Sequence, residues 1–298
     1  MRTAAGSKLY AMLFAGHFLL ASCSGNAVTT VSSAPAASAL PQLRGFPDAS
    51  NTGTHGTLTR YTGPTTITAA GTVIQNVEVD GCLTIGAHAD NVVIENVLVR
   101  SRSCYWLILN DKGAKNLTVT QSELDGLNNS TGDAAIAGAD YTLTRVNIHG
   151  TVDGGKLGNN VTVQDSYVHD LTITPDSHND GFQSLGSVGV KLEHNSIVLK
   201  PGATSAVLLS TSAATEIRDV QIDNNLLGGG AFTIYAGYQS GTDDPSKVSD
   251  ISITNNKFTA RIFAKSGAYG PITSDNAPAV SVSNNTWFDG PKAGQPVS

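Results

Sequence analysis

The sequence predicts an all-β protein, a single-stranded right-handed parallel β-helix of about 8–10 coils. Short units recur roughly every 20 to 30 residues from about residue 57 onward, each an apolar-polar-apolar strand, a polar corner and a second short strand. The units are rich in β-branched residues and are interrupted by Gly and Asn. An asparagine also stands at the same corner of four successive units. The units are residues 92–99, 117–124, 141–148, 161–168, 190–197, 220–227, 251–258 and 280–287.

Other repeat architectures do not fit these units. A helical solenoid is excluded because the apolar residues alternate with period two and are often β-branched. A leucine-rich repeat requires a regular Leu/Asn consensus, which the chain lacks. A propeller blade requires four full strands and hence a longer unit. The parallel β-helix, with three short strands in each coil, is the remaining architecture.

The repeated corner asparagines predict a structural ladder. Asn195, Asn225, Asn256 and Asn285 occupy the same corner of successive coils. Stacked side-chain amides can hydrogen-bond along the axis and satisfy corner backbone groups that would otherwise lack partners. We therefore interpret these amides as structural and do not assign them to a ligand site.

The first 44 residues carry signals for export and not for folding. Residues 1–23 combine an early positive charge with a short apolar run that is too short to span a membrane. Leu20-Ala21-Ser22-Cys23 is similar to a bacterial lipobox, with ordinary cleavage near Ala21-Ser22 as the alternative. We expect an exported protein, secreted or held at the bacterial surface by a lipid on Cys23, its sole membrane contact. Residues 24–44 predict a flexible tether before a domain at 45–298.

Composition limits the partners and the redox state. The 298 residues carry a net charge of −6 with 14% charged residues and no Lys/Arg cluster, so nucleic-acid binding is not expected. Mild acidity with few charges is compatible with a neutral polymer as the partner, or with an anionic polymer recognised through a metal or a few cations. In an oxidising compartment Cys82 and Cys104 are expected to form either one disulfide or two buried thiols.

The coil pattern, the asparagine ladder, the exported context and the segment His178-Asn179-Asp180-Gly181 together resemble the pectin-lyase-like superfamily of β-helix proteins. The resemblance covers the chain from about residue 45 onward, although the signature of no single enzyme family within it is complete. It implies a polysaccharide lying in a groove along the stacked first strands of the coils.

The densest polar segment, residues 176–183, lies within this predicted groove. Aligning the coils on the first strand places Asp133, Asp153 and Asp180 in one row, and it places Lys156 beside Gln183. Aspartates on adjacent strands would lie roughly 5 Å apart and repel one another unless a proton or a cation intervened. A second expected column follows the third strand. It consists of Arg100, Asp125, His149 and His169, with Asp170 and His178 nearby.

Three functions follow from this arrangement, and the order of preference is lyase, hydrolase, binder. A lyase would cleave a uronate-containing glycan by β-elimination, with Lys156 or His178 as base and Ca²⁺ held by Asp153 and Asp180. A glycoside hydrolase would use paired aspartates. A non-catalytic binder would stack sugars on Tyr235, Tyr238 or Tyr269. The catalytic candidates are Asp180, His178, Lys156, Asp153 and His169. The substrate-binding candidates are Gln183, Asp133, His149, Arg100 and Tyr235.

Overall fold

A computed structural model describes residues 45–211, 216–238, 245–274 and 280–297. These residues form a parallel β-solenoid whose strands belong to a 17-stranded and a nine-stranded sheet. The one helical element in the described ranges is a 3₁₀ turn, Pro245–Lys247. The predicted fold class is therefore confirmed. The predicted export signal, Cys23 and the tether at 24–44 lie outside the described residues.

Each coil contributes one strand to the nine-stranded sheet. To the larger sheet it contributes either two short strands joined by a bend or one long strand. The nine-stranded sheet consists of β2 (Thr66–Ile67), β4 (Leu83–Ile85), β6 (Trp106–Asn110), β9 (Ala134–Gly138), β12 (Asp153–Lys156), β15 (Asp180–Ser184), β18 (Ser205–Ser210), β21 (Phe232–Tyr238) and β24 (Gly270–Thr273). The larger sheet consists of β1 (Thr59–Arg60), β3 (Val73–Asp80), β5 (Val93–Arg100), β7 (Leu117–Thr120), β8 (Glu123–Asp125), β10 (Tyr141–Thr144), β11 (Asn147–His149), β13 (Val161–Gln164), β14 (Tyr167–Val168), β16 (Ser187–Glu193), β17 (Ser196–Val198), β19 (Ile217–Asp223), β20 (Leu226–Gly228), β22 (Val248–Thr254), β23 (Lys257–Phe258), β25 (Val280–Ser283) and β26 (Thr286–Trp287).

Stacked aliphatic side chains fill the interior of the solenoid. Val163, Leu192, Ile222 and Ile253 occupy one row of parallel strands, and none is more than 1% exposed. The alternation of these residues with polar ones is the period-two signal of a strand with one buried face. Burial of this continuous apolar column provides the main driving force for stacking the coils.

A single left-handed residue forms each bend between the two parts of the larger sheet. The bend residues have φ between 45° and 58°, a region in which Asn and Asp are enriched. They are Asn76, Asn96, Gln121, Arg145, Asp165, His194, Asn224, Asn255 and Asn284.

The predicted asparagine ladder follows this bend and is confirmed. Oδ1 of Asn225 accepts hydrogen bonds from the backbone N–H and Nδ2 of Asn195 at 2.8 and 3.0 Å. The same pair of bonds joins Asn225 to Asn256 and Asn256 to Asn285. The ladder therefore satisfies the buried polar groups at the corners, as the sequence led us to expect.

Residues 45–55, called the strap below, run across the corners of the larger sheet. Gly45 O accepts a hydrogen bond from Nε2 of His194 at 2.8 Å, and Gly53 N donates to Arg145 O at 3.0 Å. The ring centroid of Phe46 lies 5.9 Å from that of Phe288. Because these partners belong to widely separated coils, the strap links coils that do not otherwise touch.

Cys82 and Cys104 form a disulfide with a Cα–Cα distance of 5.9 Å. The bond connects the end of one coil to the next, across a sequence separation of 22 residues. Of the two states that the sequence left open, the structure therefore contains the disulfide.

Candidate functional site

An open groove of about 590 Å³ lies on the outer face of the nine-stranded sheet, over strands β6, β9, β12 and β15. Its lining combines an aromatic ring, apolar side chains and a few polar groups, a mixture typical of ligand sites. The lining includes Trp106, Asn110, Asp133, Lys156, Gln183 and Leu185.

Two adjacent strands carry the same four-residue motif, Asp-Gly-x-(Lys or Gln). Lys156 pairs with Gln183 across β12 and β15, as the sequence predicted. In each copy the fourth side chain turns back to the aspartate three residues earlier. A Cβ added to Gly181 would lie 2.3 Å from Cγ2 of Ile197, so this glycine permits close packing that a larger residue would prevent.

The predicted row of three aspartates is wrong at one position. The residue opposite Asp153 in β9 is Ala134, so Asp133 lies one residue before the row. The register follows core packing, since Ile136 lies opposite Gly155 and a Cβ on that glycine would be 3.2 Å from Ile136 Cγ2. An alignment on the aspartates alone does not contain this apolar contact, which favours the observed pairing.

Lys156 lies at the centre of a charged network. Its Nζ contacts Oδ2 of Asp153, Oδ1 of Asp133 at 3.0 Å and Oε1 of Gln183 at 2.8 Å. Burial would lower the pKa of Lys156, but the carboxylates of Asp153 and Asp133 outweigh it and raise this pKa above its ordinary value. The side chain is therefore a firmly held ammonium, which is a poor general base.

Asp153 and Asp180 form a buried acidic pair beside this lysine, and both residues are 0% exposed. Oδ1 of Asp153 accepts the Asp180 N–H at 2.8 Å, while Asp180 accepts Nε2 of Gln183 at 3.0 Å and Oγ of Ser205 at 2.5 Å. Burial raises the pKa of Asp153 to about 6, and burial together with the nearby Asp153 charge raises the pKa of Asp180 to about 7. The pair therefore retains a proton at a pH at which an ordinary aspartate has none.

These contacts do not suit the calcium ion expected from the sequence. All four carboxylate oxygens of Asp153 and Asp180 already accept hydrogen bonds from protein donors. An ammonium also occupies the position beside Asp153 that a cation would take. No cluster of three or more His, Cys, Asp or Glu side chains suited to a metal occurs in the described parts of the chain. We therefore assign no reaction step to calcium.

The second predicted column lies on the larger sheet. Arg100, Asp125 and His149 pair in register, and the ring centroids of His149 and His169 lie 5.2 Å apart. Arg100 Nε contacts Glu78 at 3.0 Å. Within the described ranges, no hydrogen bond, ion pair or ring contact joins this column to the Lys156 network. The structure therefore divides the predicted groove residues between two separate clusters.

The two histidines of this column, His149 and His169, have pKa values shifted in opposite directions. His149 Nε2 lies 3.0 Å from Oε1 of Glu123, and this hydrogen bond lowers the pKa of Glu123. Burial would lower the pKa of His149, but the same partner and Asp125 raise it above its usual value. Burial lowers the pKa of His169, whose Nε2 contacts Oδ1 of Asn147 at 3.0 Å.

The loop before β15 holds the remaining parts of the polar segment. His178 is exposed and does not line the groove. Asn179 is fully buried, and its Nδ2 donates to Val152 O at 2.6 Å and to Thr172 O at 2.7 Å. Within this segment, Asn179 therefore fixes the loop while Asp180 and Gln183 contribute to the network.

Trp106 lines the groove but was not among the site residues predicted from the sequence. Its Nε1 donates to Oδ2 of Asp133 at 3.0 Å, and its ring packs edge-on against Tyr105 with centroids 4.6 Å apart. Extending the strand alignment back by one coil, to Trp106-Leu107-Ile108-Leu109, would have placed this ring in the groove. Trp106 is one of only two tryptophans in the chain, which is a further signal that was available.

Tyr235 lies farther along the same sheet face. The register of the sheet continues from Lys156 to Gln183, Leu208 and Tyr235, which places all four in one row. Phe232 lies beside Tyr235, with ring centroids 5.6 Å apart. The side chain of Tyr238 lies outside the described part of the structure.

No protein-family model matches this chain, and no curated protein or solved structure matches it either. Of the resemblance predicted from the sequence, the structure supports the parallel β-solenoid and nothing finer. Among the described residues, no helix has the length and apolar character needed to cross a membrane.

Proposed function

We propose that this chain is an exported polysaccharide-binding β-solenoid protein that holds a sugar chain in the groove over Trp106, Lys156 and Gln183. The observation that carries the proposal is an aromatic ring beside fixed polar groups in an open groove. The C–H face of a pyranose packs on such a ring, and its hydroxyls can bond to the carboxylate, ammonium and amide groups nearby. A lipid on Cys23 or simple secretion would present the groove to external glycans, and membership of the pectin-lyase-like superfamily is part of the same proposal.

The charges favour an uncharged glycan as the ligand. Lys156 is the only lysine or arginine lining the groove in the described part of the chain, and two carboxylates already pair with it. Asp111 and Asp140 also line the groove. A uronate would therefore find no uncommitted cation there, whereas an uncharged sugar loses no ionic hydration on binding.

Cleavage of the bound glycan is a second candidate function. It is supported by the raised pKa of Asp180, since a carboxyl that stays protonated near neutral pH can act as a general acid. Hydrolysis by the Asp153–Asp180 pair would require Lys156 and Gln183 to move aside, because both aspartates are buried. β-Elimination would require an unprotonated base beside the sugar. The ammonium of Lys156 does not supply one, and His178 lies outside the groove lining, so its loop would have to move towards the groove.

Retention of the full chain in gels containing polysaccharides tests the binding proposal. We expect retention by at least one uncharged glycan among xylan, galactomannan and hydroxyethyl cellulose, and weaker retention by polygalacturonate. Trp106→Ala should abolish retention. Tyr167→Ala should preserve it, because that ring stacks on His169 away from the groove. Normal retention of Trp106→Ala, or no retention of the wild type by any glycan, would refute the proposal.

The same glycans distinguish the reactions. Hydrolysis produces reducing ends without new ultraviolet absorbance, and β-elimination produces both reducing ends and the absorbance of an unsaturated sugar. Asp180→Asn should abolish hydrolysis if Asp180 is the acid. Binding without either signal, over prolonged incubation and across pH, would leave the protein as a binder and exclude the second candidate for these glycans.

A further inference from the structure

We propose that Phe232, Tyr235 and Tyr269 form a second sugar-stacking site on the same sheet face as Trp106. Trp106 is called the first station below, and the three rings are called the second station. The proposal rests on the proposed function and extends it, because it makes the ligand an extended chain that spans both stations.

The three rings form one cluster, with Phe232 and Tyr235 on strand β21 and Tyr269 directly before strand β24. Ring centroids of Phe232 and Tyr235 lie 5.6 Å apart at 84°, and those of Phe232 and Tyr269 lie 5.8 Å apart at 48°. Tyr269 is 69% exposed, the largest value among the exposed large hydrophobic residues in the described ranges. A single exposed ring would need no explanation, but three adjoining rings at the surface form a patch of the kind that marks contact with a partner.

The backbone holds Tyr269 in this place. Its N–H donates to Ala231 O at 2.8 Å, and the preceding Ala268 N–H donates to Gly230 O at 2.9 Å. A Cβ added to Gly267 would lie 2.5 Å from Gly270 O, so the turn before the tyrosine is tightly packed. The ring is thus carried on a fixed turn, which reduces the entropy lost when a ligand binds.

The register of the sheet sets the distance between the stations. Five strand steps separate β6, which carries Trp106, from β21, which carries Phe232 and Tyr235. At about 4.8 Å for each step, the two stations lie roughly 24 Å apart. A pyranose unit in an extended chain advances by a length close to one such step, so a chain of about five or six units would reach both stations.

The row between the stations suits an uncharged chain. Lys156, Gln183 and Leu208 precede Tyr235 in one row, which passes through β6 at Leu109, three residues after Trp106. The two polar groups can bond to hydroxyls, and Leu208 provides an apolar contact. A chain that occupies both stations gains a second contact that is intramolecular, and therefore binds more tightly than a chain that reaches only one.

The test compares short and long oligosaccharides, of about three and about seven units, cut from xylan, galactomannan and cellulose. Calorimetry with the full wild-type chain should show affinity rising about tenfold or more from the short to the long probe of the retained glycan. Tyr269→Ala should abolish this gain while leaving the affinity for the short probe unchanged. Trp106→Ala should lower the affinity for both probes, and Tyr167→Ala should leave both affinities unchanged.

The outcomes separate the two proposals. If no probe and no polysaccharide binds, the proposed function fails and the second station fails with it. If the probes bind but affinity does not rise with length, or if Tyr269→Ala binds the long probe like wild type, the second station is refuted while the groove proposal stands. A length-dependent gain that is lost in Tyr269→Ala supports both.

Discussion

The backbone N–H of Asp180 donates a hydrogen bond to Oδ1 of Asp153 at 2.8 Å, which joins two buried aspartates on adjacent strands. Stacked carboxylates repel, and desolvation disfavours their charge further. Lys156 on one side and Gln183 with Ser205 on the other supply the compensating contacts. The charged form of the pair therefore destabilises the fold, and substitutions in the pair or in its partners should change the free energy of unfolding.

The first prediction concerns pH. Asp153 and Asp180 have folded-state pKa values of about 6 and about 7, above the unfolded value near 3.9. The folded chain therefore binds more protons than the unfolded chain between about pH 4 and pH 7, and these two groups lower the free energy of unfolding as pH rises through that window.

Asp180→Asn should remove much of this dependence. In urea unfolding, we expect the free energy of unfolding of the variant to rise by about 4 kcal/mol relative to that of wild type between pH 4 and pH 8. Asp176→Asn, which alters an exposed aspartate in the preceding loop, should show no such trend. A constant difference between Asp180→Asn and wild type across this range would contradict the prediction.

The second prediction concerns Lys156. Lys156→Met leaves the buried Asp153 without its cation, and we expect a loss of about 2–3 kcal/mol of unfolding free energy at pH 8. The loss should shrink at pH 5, where Asp153 can take up a proton. Lys191→Met, at an exposed site on β16, serves as the control. The double variant Asp153→Asn/Lys156→Met should be more stable than Lys156→Met at pH 8, and a less stable double variant would oppose this account.

The third prediction concerns the asparagine ladder. Asn225→Ala removes the Oδ1 acceptor of two bonds from Asn195 and the Nδ2 donor to Leu192 O, all in the interior. We expect a loss of about 2–4 kcal/mol in chemical denaturation. Asn285→Ala should cost less, because it ends the ladder and has one neighbouring amide rather than two. Equal losses at the two positions would argue against the ladder as the cause.

The fourth prediction concerns the disulfide. Cys82 and Cys104 close a loop with a sequence separation of 22, for which the chain-entropy model gives about 3 kcal/mol of stabilisation. Cys82→Ser/Cys104→Ser should lower the thermal midpoint, and a reductant should lower that of the wild type while leaving the double variant unchanged. Reductant sensitivity that persists in the double variant would contradict this assignment.

Much of the fold was predictable because it repeats. Strand alternation, corner asparagines and the pairing of Lys156 with Gln183 all follow from local patterns that recur once in each coil. The stacking of Asp125 with His149 was predictable for the same reason. Periodic features can be aligned within one sequence, since each copy tests the others.

The remaining features depend on contacts that do not recur from coil to coil. The place of Asp133 is set by how Ile136 packs beside Gly155, and the groove position of Trp106 requires one more aligned coil. The raised pKa of Lys156 depends on its contacts with the carboxylates of Asp153 and Asp133, which a one-dimensional pattern does not contain. The separation of the histidine column from the groove likewise depends on which sheet carries each strand.

The strap gives the solenoid a property that its repeats lack. In a stack of repeats each unit contacts only its neighbours, so the ends can fray independently and unfolding need not be cooperative. Hydrogen bonds from residues 45–55 reach Asn96, Arg145 and His194, and Phe46 packs on Phe288 near the final coil. Fraying of the last coil therefore removes a packing partner from a segment that also secures the earlier corners. We therefore expect the strap to couple the stability of the last coil to that of the earlier corners, so that the solenoid unfolds more cooperatively than its repeats alone would.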